Sequence, residues 1–374
     1  MTPLGTETGQ SNCAITSFSP TELGRTGSWY YAALLRACKF AVCVLFLAGL
    51  AFACYRSPVD NLDRYIYEAI VRGKTQSIDA AYSIVKHTSP RAEQSSILDS
   101  PQHLLELEPM FAIRPVYLVA IAELSRAVPI QSAISFISAL SLFGIGLVVL
   151  FWTKRPLLAG LLMAALPIPF LGRLGGPDGL AAVLVISALW VLERSTIVAL
   201  GLLFLSLGVR TDDLLILIAV LAWLAWERKV PRLVAGALAI AAVGIVLGIN
   251  HWAGNYGWIV LFRFSFVSGR YPAQIPHVLA VGEYVRGLWR GAYAIADQVA
   301  VWILLGILAW RRRPDPLLIV AGCAAAAHFL LYPSGEDRYL IWAYVVVGVS
   351  LIRSLEADRA SKPPEKLAVE TLAV

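Results

Sequence analysis

Charged side chains are scarce in this chain. Asp, Glu, Lys and Arg make up only 15% of its 374 residues, whereas 58% are hydrophobic, and the mean hydropathy is +0.69. Soluble domains carry roughly 25% charged and 45–50% apolar residues. So little polar surface cannot cover a water-exposed globule. The composition therefore excludes a string of soluble domains and indicates a membrane protein.

Cysteine and histidine are also rare, with five residues each. The cysteines contain no CxxC pair, and the histidines show no metal-ligand spacing. Three of the cysteines fall in or next to apolar runs, so we interpret them as small apolar residues rather than metal ligands or disulfide partners. The sequence thus predicts no metal site. The five cysteines are Cys13, Cys38, Cys43, Cys54 and Cys323.

Long apolar runs dominate what remains. A membrane-spanning helix needs about 20 residues, with a lower limit near 17. The first run follows a polar segment without a cleavage pattern, so no removable signal peptide is predicted. We predict an all-α polytopic membrane protein with about ten transmembrane helices. The runs are 37–55, 132–152, 156–172, 179–192, 196–209, 214–226, 233–250, 295–310, 317–332 and 340–352.

The charges between these runs alternate along the chain. Basic residues dominate every second connection: Lys154 and Arg155; Arg194; Arg228, Lys229 and Arg232; Arg311, Arg312 and Arg313; then Arg353. The other connections carry single arginines beside acids: Arg173 with Asp178, Arg210 with Asp212 and Asp213, and Arg338 with Glu336 and Asp337. This is the positive-inside pattern, and it predicts that both termini lie in the cytoplasm. The net charge of +6 therefore indicates topology, not nucleic-acid binding.

The predicted organisation has three parts. One apolar stretch, 111–128, is interrupted by Arg114, Glu123 and Arg126, so we predict a helix lying at the outer membrane interface rather than a span. The first outer loop then contains interfacial helices. The parts are a cytoplasmic tail (1–30), a membrane-embedded domain (31–353, with outer loops 55–131 and 251–293) and a disordered cytoplasmic tail (354–374).

Three predicted spans are unusually short. The runs 179–192, 196–209 and 214–226 reach about 20 Å, against a hydrocarbon core of about 30 Å. Because basic residues hold their inner ends, their outer ends must lie below the outer surface, where polar groups need a protein-lined or watered cavity. We expect an outward-facing depression, and local thinning of the bilayer is the alternative. Its expected lining is Arg173, Asp178, Arg210, Asp212 and Asp213.

Two acids open the first outer loop. Asp60 is a predicted helix N-cap, and Asp63 would lie one turn later, close to the membrane. A carboxylate there could act as a general base that activates an acceptor hydroxyl. The alternative is a structural role, in which Asp60 caps the helix and Asp63 pairs with Arg64.

Several motifs follow one another in a recognisable order. They are Asp63, Tyr67, Ala69 and Gly73; Arg114-Pro115-Val116-Tyr117; the basic pair Lys154-Arg155; Gly176-Pro177-Asp178-Gly179-Leu180-Ala181; and Arg338-Tyr339. Their order and sidedness resemble the GT-C class of integral-membrane glycosyltransferases, which use polyprenyl-phosphate-linked sugars. The resemblance covers about residues 35–353.

The resemblance implies a GT-C-like fold and a glycosyltransferase. Such an enzyme would move a sugar from a polyprenyl-phosphate donor to an unknown glycan or lipid acceptor, on the outer face of a bacterial inner membrane, in cell-envelope synthesis. It implies Asp63 as the catalytic carboxylate, with Asp60 as the alternative. It implies no nucleic-acid partner and leaves a divalent-metal requirement open.

Outer arginines are the expected ligands of the donor phosphate, because guanidinium groups bind phosphate in a bidentate manner. Any one of them could instead anchor a helix at the interface. Arg263 is a weaker candidate. The predicted substrate-binding residues are Asp178, Arg210, Asp212, Asp213, Arg270, Arg338 and Tyr339.

Two other functions fit the composition. The first is a transporter or flippase for a lipid-linked or anionic substrate, which would carry ionisable residues near mid-membrane and often related halves. The charges here lie at span ends and no duplication is visible, which favours the enzyme. The second is a scaffold subunit of an envelope-polysaccharide machine, which would need no acid at Asp63.

Overall fold

The computed structural model describes residues 20–268 and 271–361. These residues are almost entirely helical and include no strand, which confirms the all-α prediction. Residues 1–42 and 43–374 form two compact units, and the packing and sites below belong to the second. The α-helices of the described part are α1 (Pro20–Arg56), α2 (Leu62–Gly73), α3 (Ile78–Lys86), α4 (Pro90–Glu93), α5 (Pro101–Ala112), α6 (Pro115–Leu124), α7 (Ile130–Thr153), α8 (Pro156–Ala164), α9 (Asp178–Val191), α10 (Thr196–Leu207), α11 (Leu214–Trp226), α12 (Arg232–Trp252), α13 (Trp258–Arg263), α14 (Val281–Arg312), α15 (Pro316–Leu331) and α16 (Ile341–Ser361).

Four of the described helices are long and apolar enough to cross a membrane. They are the part of α1 from Ala33 to Arg56, α7, α12 and α14. The apolar helices α9, α10, α11 and α15 have only 12 to 16 residues, fewer than the roughly 17–25 of a typical span. The architecture is compatible with a helical membrane protein in which four helices are long enough to span.

Two predicted spans differ from the helices observed. The run 156–172 is not one helix: α8 ends at Ala164, and a 3-10 turn (Ile168–Gly172) follows. Pro167 and Pro169 lack the N–H that would continue the helical hydrogen bonds, which explains the break. The run 295–310 forms only the second half of α14, which begins at Val281. Charged residues in its first half conceal that half from a search for apolar runs.

Both predicted tails fall largely outside the described residues. Most of the N-terminal tail (1–30) does so. At the other end, α16 continues to Ser361, into the segment 354–374 for which composition predicts disorder. Leu, Glu, Ala and Arg in this stretch are good helix formers, so a helix that is packed upstream can extend through them.

The segment predicted as the first outer loop folds into a layer of five helices, α2 to α6, with its own apolar core. Tyr67 and Tyr117 are fully buried there, with their rings edge to face at 5.0 Å. Leu104 and Leu107 on α5 are each 1% exposed. The same core includes Ile134 on α7. Since α7 is one of the long apolar helices, the layer packs directly on the helix bundle.

A buried arginine ties this layer to the bundle. Arg64 on α2 donates to the carbonyl of Val59 at 3.3 Å, to the carbonyl of Gln131 at 3.4 Å and to Ser135 Oγ at 2.9 Å. The Arg64 side chain therefore links α2 to α7, and it does not form the ion pair with Asp63 that the structural alternative predicted.

The N-cap of α2 is Asn61, not Asp60 as predicted. Asn61 Oδ1 accepts a hydrogen bond from the backbone N–H of Asp63 at 3.1 Å. Asp60 lies one residue too early, and its carboxylate accepts from the Tyr65 hydroxyl at 2.5 Å. Asp63 consequently lies in the first turn of α2, where the helix dipole favours an acid.

Candidate functional site

The candidate site lies where one end of the short helices meets the start of α2. Helices α9 and α11 begin at this end, whereas α10 and α15 finish there, because consecutive helices run in opposite directions through short connections. The segment before α16 returns to the same place. The polar residues in the connections between the apolar runs therefore gather at one end of the bundle.

Arg210 is the most deeply buried cation of this cluster. Its side chain is 6% exposed, and Nη1 lies 3.0 Å from Asp178 Oδ1. On its other edge it pairs with both carboxylate oxygens of Asp212, with Nε 3.1 Å from Oδ1 and Nη2 against Oδ2. This two-point pairing fixes the orientation of the guanidinium plane as well as its position.

Arg338 is the second cation, and it connects Asp63 to the same network. Arg338 Nη1 lies 3.0 Å from Asp63 Oδ2 and 3.8 Å from Asp178 Oδ2, while Nε lies 2.6 Å from Glu336 Oε2. Asp178, with a side chain 4% exposed, thus bridges Arg210 and Arg338 through its two oxygens. The charge-assisted contacts with two cations offset the free-energy cost of removing the Asp178 carboxylate from water.

Tyr339 completes the cationic part of the cluster. Its ring centre lies 4.9 Å from the guanidinium carbon of Arg210 and 4.8 Å from that of Arg338, within the range of a cation–π interaction. Its hydroxyl accepts a hydrogen bond from Arg338 Nη2 at 2.9 Å. One aromatic side chain therefore holds both guanidinium groups.

The consecutive acids Asp212 and Asp213 have opposite electrostatic environments. They occupy the 3-10 turn between α10 and α11, outside both helices. Burial raises the pKa of Asp213 to about 8, and its Oδ2 has no hydrogen-bond partner in the described part of the chain. Burial also opposes ionisation of Asp212, but Arg210 and His328 outweigh it and hold the pKa of that carboxyl well below its usual range. At neutral pH Asp212 is therefore ionised, whereas Asp213 retains a proton.

The structure brings six of the predicted site residues into direct contact with one another: Asp63, Asp178, Arg210, Asp212, Arg338 and Tyr339. Asp213 follows in the same turn. Asp60 belongs to a different set of contacts, because its carbonyl accepts from Arg91 at 2.6 Å and its carboxylate from Tyr65. Arg270 lies outside the described residues.

Two other arginines also have separate partners. Arg173 donates to the carbonyl of Ser57 at 2.7 Å, at the end of α1, and Arg263 pairs with Glu283 at 3.0 Å. Arg173 was expected in the lining of the depression, and it instead joins the turn before α9 to the segment that leads into α2.

Sequence reasoning missed two residues at the cluster. His328 Nδ1 lies 3.1 Å from Asp212 Oδ2, although His328 belongs to an apolar run. Arg114 donates to the hydroxyl of Tyr67, and its guanidinium lies over the Tyr67 ring at 5.7 Å. A single ionisable residue inside an apolar segment is itself a signal of function, and that signal could have identified His328; Arg114 shares its segment with Glu123 and Arg126 and gives no such signal.

Beside Arg210, Asp212 and His328 lies a cavity of about 10 Å³, close to the space that one water molecule needs. A larger anion would have to replace one of the partners within the cluster in order to bind there. Glu336, whose side chain is 61% exposed, is the Arg338 partner that an incoming anion can displace most easily. The cavity is lined by Arg210, Asp212, Asp213, Leu215, Ile216, Ala324, His328, Tyr339 and Trp342.

A much larger cavity lies between α14, α15 and α16. It is an apolar groove of about 650 Å³, and its lining includes Leu340, which follows Tyr339 in the chain, and Trp310 near the far end of α14. The groove therefore reaches the residue next to Tyr339, whose ring contacts both guanidinium groups.

Among residues 20–268 and 271–361, no group of three or more His, Cys, Asp or Glu side chains is arranged to hold a metal ion. Comparison with known proteins provides no family for the chain: no family model matches it, and neither does any curated protein or solved structure.

Proposed function

We propose that this protein is a GT-C-like glycosyltransferase that moves a sugar from a polyprenyl-phosphate donor to an acceptor at the outer face of a bacterial inner membrane. One observation carries the proposal. Asp63, Asp178, Arg210 and Arg338 come from four separate connections, and they form one continuous network of ion pairs.

In the proposed reaction, Asp63 accepts the proton of an acceptor hydroxyl. The hydroxyl oxygen forms a bond to the anomeric carbon of the donor sugar, the bond from that carbon to the phosphate oxygen breaks, and polyprenyl phosphate leaves. Asp63 suits this role because its side chain is 25% exposed, whereas that of Asp178 is 4% exposed. A general base must approach the hydroxyl to within about 3 Å.

The two arginines would stabilise the departing phosphate. Charge that develops on the leaving group is stabilised by cations that are already oriented, and Arg210 and Arg338 are oriented by Asp178 and Tyr339. Glu336 would yield its place on Arg338 to the phosphate. The exchange keeps the charge balance of the cluster, because one anion replaces another.

The apolar groove supports the same assignment. A polyprenyl chain must stay in an apolar environment while its phosphate reaches the polar cluster. The groove between α14, α15 and α16 borders Leu340, the residue after Tyr339, whose ring contacts both guanidinium groups. A donor with its tail in the groove would thus present its phosphate to Arg338.

The test is transfer from a panel of polyprenyl-phosphate sugars by the purified protein. Asp63→Asn keeps the shape of the side chain and removes the base, so sugar transfer or release should fall by at least about 100-fold, while donor binding remains near wild type. Asp60→Asn is the matched control, because it changes a neighbouring acid that belongs to other contacts, and it should keep most of the activity.

The outcomes separate the candidate functions. Full activity of Asp63→Asn contradicts its role as the base, and loss of activity in Asp60→Asn alone would exchange the two assignments. Donor binding without release by the wild-type protein favours the alternative of a transporter or flippase. That alternative has one observation in its favour, since a groove beside a charged cluster also suits the passage of a lipid-linked substrate.

A further inference from the structure

A second polar cavity lies at the opposite ends of the same short helices. Its volume is about 260 Å³. Helices α9 and α11 end beside it, and α15 begins there. From Asp178 to Leu189 along α9, or from Asp213 to Trp223 along α11, the rise is about 15–17 Å. The two cavities therefore mark the two ends of one set of helices.

This cavity carries three cations and two acids, and both acids already have partners. Glu193 pairs with Arg353 at 2.7 Å. Asp315 caps α15 through the backbone N–H of Leu317 at 3.1 Å and accepts from Ser350 Oγ at 2.9 Å. The cavity is lined by Leu189, Leu192, Glu193, Trp223, Lys229, Arg313, Pro314, Asp315, Pro316, Leu317, Ser350 and Arg353.

The other two cations, Lys229 and Arg313, make no ion pair within the described part of the chain. Both side chains are exposed, and Lys229 Nζ lies over the Trp223 ring at 4.4 Å. The cavity thus has three cations against two acids, an excess of one positive charge, and Lys229 and Arg313 at its edge are available to an anion.

The ring of Trp223 lines the cavity and holds the Lys229 ammonium group at its edge through the cation–π contact. The indole N–H of Trp223 is buried, so it is not exposed to the cavity and is not part of the proposed site.

The surroundings favour a lipid over a soluble anion. Trp226, one turn from Trp223, is 80% exposed, and Leu233 at the start of α12 is 89% exposed. Exposed tryptophan beside basic residues is typical of the level where lipid headgroups lie.

We propose that this cavity binds the phosphate-bearing headgroup of an anionic membrane lipid, through Lys229 and Arg313. Basic pockets between membrane helices bind such headgroups. The charge pattern predicts that this end of the bundle faces the cytoplasm. The site is separate from the proposed donor site, and it does not depend on the proposed activity.

The test is native mass spectrometry of the full-length protein with phosphatidylglycerol, and with phosphatidylcholine as the zwitterionic comparison. Wild-type protein should retain phosphatidylglycerol preferentially. The double variant Lys229→Gln/Arg313→Gln should lower its apparent affinity by about tenfold or more, since each basic residue near an anionic headgroup contributes roughly a factor of five. Trp223→Phe keeps an aromatic ring beneath Lys229 and should leave retention near the wild-type level.

The matched control is Arg228→Gln/Arg232→Gln. It removes the same amount of charge, next to Lys229 at the connection between α11 and α12, but neither residue lines the cavity, and it should change retention by no more than about twofold if the cavity is the site. Equal loss in both double variants would overturn the proposal, and so would equal retention of the two lipids by the wild-type protein. Displacement of phosphatidylglycerol by equimolar inorganic phosphate would identify free phosphate as the ligand and overturn the lipid assignment.

Discussion

At the scale of single residues, Asp178 has the central position in the candidate site. Its two oxygens contact two different arginines, and it is the first residue of α9. Replacing it would leave Arg210 and Arg338 buried with one anionic partner fewer. Removing one partner of a buried charge pair is strongly destabilising, so Asp178 is a poor position for a purely catalytic test. The more exposed Asp63 is a better one.

Asp213 allows a prediction about pH. Its folded-state pKa is raised to about 8 by burial, whereas an unfolded Asp has a pKa of about 3.9. The folded protein therefore binds the Asp213 proton more tightly than the unfolded chain does. This contribution to stability is complete below about pH 4 and is lost as the pH rises through about 8. Asp213→Asn, which imitates the protonated acid, should remove this part of the pH dependence in thermal unfolding.

Asp212→Asn is the contrasting variant. Because the pKa of Asp212 is held low by Arg210 and His328, its ion pairs stabilise the protein above the unfolded pKa of about 4. The Asp212→Asn variant should lose stability throughout the neutral range.

The Asp213 prediction has its own contradicting outcome. A constant difference in melting temperature between Asp213→Asn and the wild-type protein from pH 5 to pH 9 would contradict the raised pKa of Asp213.

At the scale of elements, the turn before α9 depends on the start of α2. Gly175 in this turn has a φ of +64°, and a Cβ atom there would lie 2.5 Å from the Cγ and Cδ atoms of Arg64. Arg64 cannot yield, because its guanidinium group is held by hydrogen bonds to α7 and to Val59. The same turn leads into Asp178, so this local geometry positions a residue of the site.

Gly175→Ala should therefore destabilise the protein. The left-handed conformation costs roughly 1 kcal/mol for a residue with a Cβ, and overpacking adds typically 1–3 kcal/mol. Thermal unfolding in detergent should show a clear decrease of the melting temperature. Gly201→Ala is the matched control, since it lies inside α10 with no atom within 4 Å of its added Cβ, and it should be neutral or slightly stabilising. Equal effects of the two substitutions would contradict the packing argument.

At the scale of the whole molecule, the proposed reaction requires that the candidate site lies on the outer side of the membrane. The positive-inside pattern predicts that the site is on the outer side and that the second cavity is on the cytoplasmic side. The structure has the two cavities at opposite ends of α9, α11 and α15, which is the relative placement that this prediction requires.

Labelling of single cysteines with a membrane-impermeant reagent tests this prediction in intact cells. Three positions should react from the outside: those near Asp99, Pro177 and Gly335. Three should react only after the membrane is permeabilised: those near Thr153, Lys229 and Pro314. Labelling near Pro314 from outside would refute the predicted topology, and with it the location of the proposed reaction.

Part of the fold could be predicted from local sequence. The bounds of α11 are those of the apolar run 214–226, and α7 and α15 differ from their runs by only one to three residues. The bounds of these helices follow from the apolar content of adjacent residues, which can be read directly from the sequence. The run 156–172 was wrong as one helix because proline removes backbone donors whatever the hydropathy of its neighbours.

The helical class, the polar connections and the acids and arginines in them could be predicted from local sequence. Which of these residues meet depends on the folded structure: Asp63 with Arg338, Asp178 with both arginines, and His328 with Asp212. The folded structure also decides that Arg64 turns toward α7 and that Asp60 lies apart. The physical reason is that hydropathy acts along the chain, within one helix, whereas an ion pair between residues 275 positions apart depends on how the helices that carry them pack.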